Sequence, residues 1–138
     1  MGRIIGIDYG KKRVGLAVTD PLYMFASPLT TVNTQEFDSF IDEYIKNEQV
    51  DGFVVGYALQ MNNKPSESVK YIEPFIKKLR KRYPDKPVYL EDERFTSKIA
   101  LRSMIDGGVK KKKRQDKKVM DKISASLILQ SWLDKKKY

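Results

Sequence analysis

The chain has 138 residues, 41% of them hydrophobic and 33% charged, with a formal net charge of +9: the balance of a globular protein long enough for one real core. It contains neither Cys nor His, which excludes disulfides, thiol nucleophiles, structural zinc sites and histidine general bases. Chemistry is left to carboxylates, lysines, hydroxyls, backbone groups and hard metal ions held by oxygen, and the positive charge favours a polyanionic partner such as nucleic acid.

In chain order, Ile4–Ile7 is a continuous apolar run ended by Asp8, the pattern of a central strand buried on both faces. The run is too short for a signal peptide core or a membrane span, so a cytoplasmic protein with no membrane partner is expected. Gly10-Lys11-Lys12 makes a turn, and Val14–Val18 reads as the antiparallel partner strand. After the Asp20-Pro21 turn, a third strand is expected around Phe25 to Val32. Phe37, Phe40, Ile41, Tyr44 and Ile45 fall three and four apart, which predicts an amphipathic helix with Thr34 as its N-cap.

Gly52–Gly56 is another buried strand. Ser66 to Tyr83 is helical, with Val69, Ile72, Ile76 and Leu79 on one face and Pro74 as a potential kink. Val88-Tyr89-Leu90 forms the last strand. Thr96 caps a helix carrying Ile99, Leu101 and Ile105, which stops at Gly107-Gly108. A lysine-rich connector leads to a final helix from about Asp116 to Leu133. A three-strand meander followed by helix–strand alternation gives an α/β fold: a five-stranded mixed sheet with helices on both faces, as one domain over residues 1–138.

Three acidic groups stand out. Asp8 ends the central strand between Gly6 and Gly10, and glycines beside an acid allow close approach to the backbone. A turn-forming Asp is the competing explanation. Glu91-Asp92-Glu93 ends the last strand, with Glu91 and Glu93 on one face by alternation and Arg94 available as a surface partner. Asp121 is stacked with Ala125, Ile128 and Trp132 in the final helix, at the head of an apolar stripe that must face the sheet.

A charge in that position needs a partner: Lys117, Lys118 or a cation. Ser124, Ala125 and Ser126 are small enough to let this helix pack closely. The acids of two strands expected to be adjacent, with Asp121 laid across them, form an oxygen cage suited to Mg²⁺ or Mn²⁺. Two such ions about 4 Å apart would stabilise the attacking and leaving oxygens of phosphodiester hydrolysis.

The run Gly6-Ile7-Asp8-Tyr9-Gly10-Lys11-Lys12-Arg13-Val14-Gly15-Leu16-Ala17-Val18 resembles the opening of the YqgF (RuvX) family, a branch of the RNase H-like superfamily. Val54–Met61, Asp92–Ser97 and Val119–Ala125 with Ile128-Leu129-Gln130 resemble its later blocks, in the expected order and over nearly the whole chain. The resemblance implies an RNase H-like three-layer fold and a metal-dependent nuclease acting on structured nucleic acid. Processing of the 5′ end of pre-16S ribosomal RNA is the leading expectation, and Holliday-junction resolution on DNA is the alternative. It also implies that Asp8, Glu93 and Asp121 are the catalytic, metal-binding carboxylates, and it is this match that favours Glu93 over Glu91. The sequence departs from the family pattern at Ala58, Gln60, Asn62 and Asn63, which touches substrate preference more than catalysis.

Basic residues are the candidate nucleic-acid contacts: Lys11, Lys12 and Arg13 on the hairpin beside Asp8, Arg94, and Lys111, Lys112, Lys113 and Arg114 in the connector to Asp121. Tyr71, Tyr83 and Tyr89 are expected to pack rather than stack on bases. Two rivals stand beside the nuclease. Ile7-Asp8-Tyr9-Gly10 is also similar to the first phosphate motif of actin-like ATPases and sugar kinases, but those proteins need a second domain that this length does not hold. A non-catalytic module binding RNA or ribosomal particles is the other, and three converging acids would be of no use to it. A monomer is expected over a homodimer.

Overall fold

The computed structural model describes residues 2–57, 69–92 and 117–136. Strands β1 (Arg3–Tyr9), β2 (Arg13–Thr19) and β3 (Ala26–Asn33) are followed by a 3-10 turn at Thr34–Glu36 and helix α1 (Phe37–Asn47). Then come β4 (Val50–Tyr57), α2 (Val69–Arg82), β5 (Val88–Asp92) and α3 (Lys117–Lys136). The expected helix from Thr96 to Ile105 and the lysine-rich connector lie outside the described residues.

All five strands join one sheet in the order β3-β2-β1-β4-β5, antiparallel from β1 to β3 and parallel from β1 through β4 to β5. The continuous apolar run of β1 therefore does sit at the centre, because both of its faces are covered. Ile5 and Ile7 join Val14, Leu16, Phe53 and Val55 on one side, under Phe37 and Ile41 of α1 and Ile72, Ile76 and Leu79 of α2. Ile4 joins Ala17 and Val54 on the other, under Ala125, Ile128 and Leu129 of α3. Each large side chain so buried contributes about 1.5–3 kcal/mol.

β3 is an edge strand, which is why it accepts Pro28 opposite Ala17, beside a register shift between Leu16 and Ala17. Pro74 is likewise carried inside α2.

Two expectations are corrected. β1 and β5 are not adjacent, because β4 lies between them: the crossover through α1 places β4 on the open side of β1, and the crossover through α2 adds β5 outside it. Thr34 does not cap a helix. Its hydroxyl donates to the Gly10 carbonyl at 2.8 Å, and its backbone N–H donates to the Lys12 carbonyl at 3.0 Å, so it fastens the β1–β2 hairpin to the start of α1.

Candidate active site

Asp8 lies one residue before the end of β1, opposite Gly15 of β2. Alternation puts it on the same face as Ile4 and Gly6, the face that α3 covers. The helix backbone reaches the sheet here because the sheet offers no side chain to stop it. A Cβ at Gly6 would stand 2.7 Å from Leu129 Cβ and 3.0 Å from the Ala125 carbonyl oxygen. At Gly15 the approach is closer still, 2.0 Å from the carbonyl oxygen of Asp121. Gly15 is the cross-strand neighbour of Asp8, so the two carboxylates expected to work together are brought to one place by one contact.

Asp121 is partly buried and ion-paired. Arg13, on the same face of β2, donates from Nε to Asp121 Oδ2 at 2.9 Å. This is the partner that the apolar stripe of α3 demanded, and it comes from the hairpin. Lys11 and Lys12 are exposed at the tip of that hairpin, and the Lys11 ammonium stands 4.4 Å above the ring of Tyr71.

Glu91 is 4% exposed and bonded by Lys135 at the far end of α3. It pairs with Gly56, and Val55 pairs with Ile7, so Asp8, Gly56 and Glu91 lie side by side across β1, β4 and β5. Two strand spacings, about 10 Å, separate the backbones of Asp8 and Glu91. With Lys135 on its carboxylate, Glu91 is paired within the protein, and a structural role is expected of it.

Glu93, Arg94, Lys111, Lys112, Lys113 and Arg114 lie outside the described residues, as does the atypical loop from Ala58 to Asn63. Among the described residues no three acidic groups are gathered tightly enough to hold a metal ion. Asp8 and Asp121 nevertheless suit one. They are hard oxygen donors on one face, and the close approach of helix to strand fixes the backbone of both.

A mixed sheet in this order, with an acid near the end of its central strand and a helix laid across it, is an RNase H-like arrangement. The model of the RuvX family, described as a Holliday junction resolvase, matches residues 2–135, and the chain belongs to this family.

Similar proteins include one from Phocaeicola vulgatus, 54% identical over 138 residues, covering 100% of this chain and 99% of that protein. Another, from Christiangramia forsetii, is 53% identical over 133 residues, covering 96% of this chain and 98% of that protein. Both are named "Putative pre-16S rRNA nuclease". Among solved structures, Thermus thermophilus RuvC in complex with a Holliday junction substrate aligns with a TM-score of 0.57 at 18% identity, over 99% of this chain and 96% of that one. The Fowlpox virus resolvase aligns with a TM-score of 0.57 at 13% identity, over 96% of this chain and 97% of that one.

The chain is thus a hydrolytic nuclease that acts on nucleic acid, and nucleases of this fold are in general divalent-metal dependent. Among the described residues, no helix is long and apolar enough to cross a membrane.

Proposed function

We propose that the protein cleaves phosphodiester bonds at the 5′ end of pre-16S ribosomal RNA, with Asp8, Glu93 and Asp121 as its catalytic carboxylates and Mg²⁺ or Mn²⁺, as two ions, between them. The observation that carries this reading is the seating of Asp121 on Gly15, the register partner of Asp8. A helix that only covered a hydrophobic face would not need its one carboxylate on that face beside another.

The full-length relatives named for pre-16S rRNA support the substrate. Divalent ions held there supply charge stabilisation at the phosphate and a more acidic attacking water. The chain's own residues do the rest. Asp8 and Asp121 hold oxygen donors in fixed places on the sheet face. Arg13 offers a cation beside them, and the hairpin lysines attract the phosphate backbone. The family match from residue 2 to 135 supports a single nuclease unit; the proposal places it as a monomer in the cytoplasm, working on ribosomal precursor particles.

The test is cleavage of a pre-16S rRNA 5′ fragment and of a four-way DNA junction, with Mg²⁺, with Mn²⁺ and with chelator. Cleavage of the RNA that needs metal and disappears in Asp8→Asn and Asp121→Asn is the expected result. Preference for the junction would replace the substrate, in keeping with the family's description as a resolvase. Cleavage surviving both substitutions would refute the site.

A further inference from the structure

Asp8 and Tyr9 are neighbours in β1, so alternation sends them to opposite faces of the sheet. On the Tyr9 side, its ring stacks on Phe75 at 4.2 Å between centroids and 22° between planes, and Phe75 meets Phe37 edge-on at 5.0 Å. This aromatic stack lines an open cleft of about 220 Å³ that also takes in Tyr71, Asp38 and Lys78. Tyr71 is 43% exposed at that cleft, in the first turn of α2, and its ring carries the Lys11 ammonium. Lys78 and Asp38 pair at 2.8 Å on the cleft's wall, a donor and an acceptor together.

A single exposed tyrosine is ordinary. This one is not single: it stands in an aromatic-lined cleft, under a cation, at the strand end that carries Asp8. The cleft is smaller than the roughly 300–1,000 Å³ that encloses a whole small-molecule ligand. It suits one flat ring whose remainder lies outside, which is how a nucleic acid presents a base. The hairpin bearing Lys11 and Lys12 lies between the two faces, where a backbone passing from Asp8 to the cleft would meet positive charge.

We infer that this cleft is a base-binding subsite of the nuclease: a nucleobase near the scissile phosphate stacks on Tyr71 while Lys11 moves from the ring to the phosphate backbone. The inference rests on the reading that the scissile phosphate lies at Asp8. The exchange at the ring is favourable. An ammonium over an exposed ring contributes roughly two- to fivefold to an equilibrium, whereas stacking one base contributes roughly 5- to 150-fold.

The experiment uses full-length protein carrying Asp8→Asn, with Mg²⁺, and fluorescent oligoribonucleotides spanning the pre-16S rRNA 5′ junction, each with one abasic residue at a successive position. Tyr71→Leu is expected to weaken binding of the intact RNA at least fivefold, and Tyr71→Phe to restore it. One abasic position should weaken the parent by the same factor and leave Tyr71→Leu unaffected. Equal binding by the parent and Tyr71→Leu, or an abasic scan with no position whose effect vanishes in Tyr71→Leu, overturns the subsite. Melting curves matching the parent's show that the variant is folded, and an unfolded Tyr71→Leu hands the decision to the abasic scan on Tyr71→Phe against Tyr71→Ser. RNA cleavage by Asp8→Asn, seen on gels of the same mixtures, would overturn the placement of the active site and leave the stacking result standing.

Discussion

Arg13 and Asp121 meet at 2.9 Å across 108 residues of sequence, each with about a quarter of its side chain exposed. On the proposed reading a divalent ion takes the same carboxylate, so the guanidinium and the metal would compete for it. Arg13→Ala is therefore expected to raise the affinity of the protein alone for Mn²⁺ by roughly two- to fivefold, the range of a solvent-accessible ion pair. It should also weaken nucleic-acid binding and slow cleavage, because the cation bonded to Asp121 is gone. Calorimetric titration with Mn²⁺, then with RNA, separates the two effects. Metal affinity that falls or stays constant would show that Arg13 does not compete.

Gly15→Ala tests the seat of Asp121. The new methyl carbon would lie 2.0 Å from a backbone carbonyl, which cannot rotate away as a side-chain end could, so α3 must shift. Overpacking of this kind costs about 1–3 kcal/mol. The larger expected effect is on cleavage, since the shift separates Asp121 from Asp8. Ser126→Ala is the control: its buried hydroxyl donates to the Ile123 carbonyl at 2.7 Å within the same helix and away from the acids. Melting temperature should fall in both variants, but activity should be lost only in Gly15→Ala. Full activity in Gly15→Ala would mean that the close contact does not position the site.

The fold is legible in the sequence, and so are the places of two acids of the proposed site, for definite reasons. Asp8 could be read because an apolar run buried on both faces ends on it, and Asp121 because Ala125, Ile128 and Trp132 repeat at helical spacing behind it. The small residues Ser124, Ala125 and Ser126 foretold close packing. They could not say that the carbonyl of Asp121 would rest on Gly15, which depends on how the helix crosses the sheet.

Long-range partners were out of reach for the same reason. Arg13 reads only as a candidate phosphate contact, because the local pattern shows a hairpin and not the carboxylate 108 residues away that it also bonds. Glu91 and Glu93 share a face by alternation, and the lysine that occupies Glu91 arrives from 44 residues away. Thr34 fits a capping pattern, yet its hydroxyl is taken by a hairpin carbonyl that no helix rule considers.

Glu91 and Lys135 give a prediction about stability alone. The carboxylate is buried while the lysine is 67% exposed, so removing the lysine strands a charge, whereas removing the charge strands little. Lys135→Ala is expected to cost about 1–3 kcal/mol in urea unfolding, the penalty of an unsatisfied buried acceptor. Adding Glu91→Gln should recover most of it. Metal affinity should be unchanged in either variant. A loss of metal binding in Glu91→Gln would make Glu91 a ligand and reverse its assignment as a structural acid.

Two tyrosine–carboxylate pairs give a prediction about stability against pH. Tyr23, held at a left-handed φ of 57° in the β2–β3 turn, donates its hydroxyl to Asp51, and Tyr83 donates to Asp42. Burial first, and then the neighbouring carboxylate, pushes both phenols up to about 12. The tyrosine hydroxyls hold the carboxyls of Asp51 and Asp42 below their ordinary value of 3.8, with Arg82 also bonded to Asp42.

A raised phenol stabilises the fold fully below its unfolded value of 10 and loses that contribution as pH climbs to about 12. A lowered carboxyl stabilises the fold above 3.8 and loses that contribution as pH falls through its folded value. Melting temperature should therefore drop on both flanks, above pH 10 and below pH 3.8. Tyr23→Phe and Tyr83→Phe together should flatten both flanks, because each removes a titrating phenol and the first of the bonds that hold its carboxylate low. A double variant whose melting temperature falls on either side as steeply as the parent's would show that other groups govern the pH dependence.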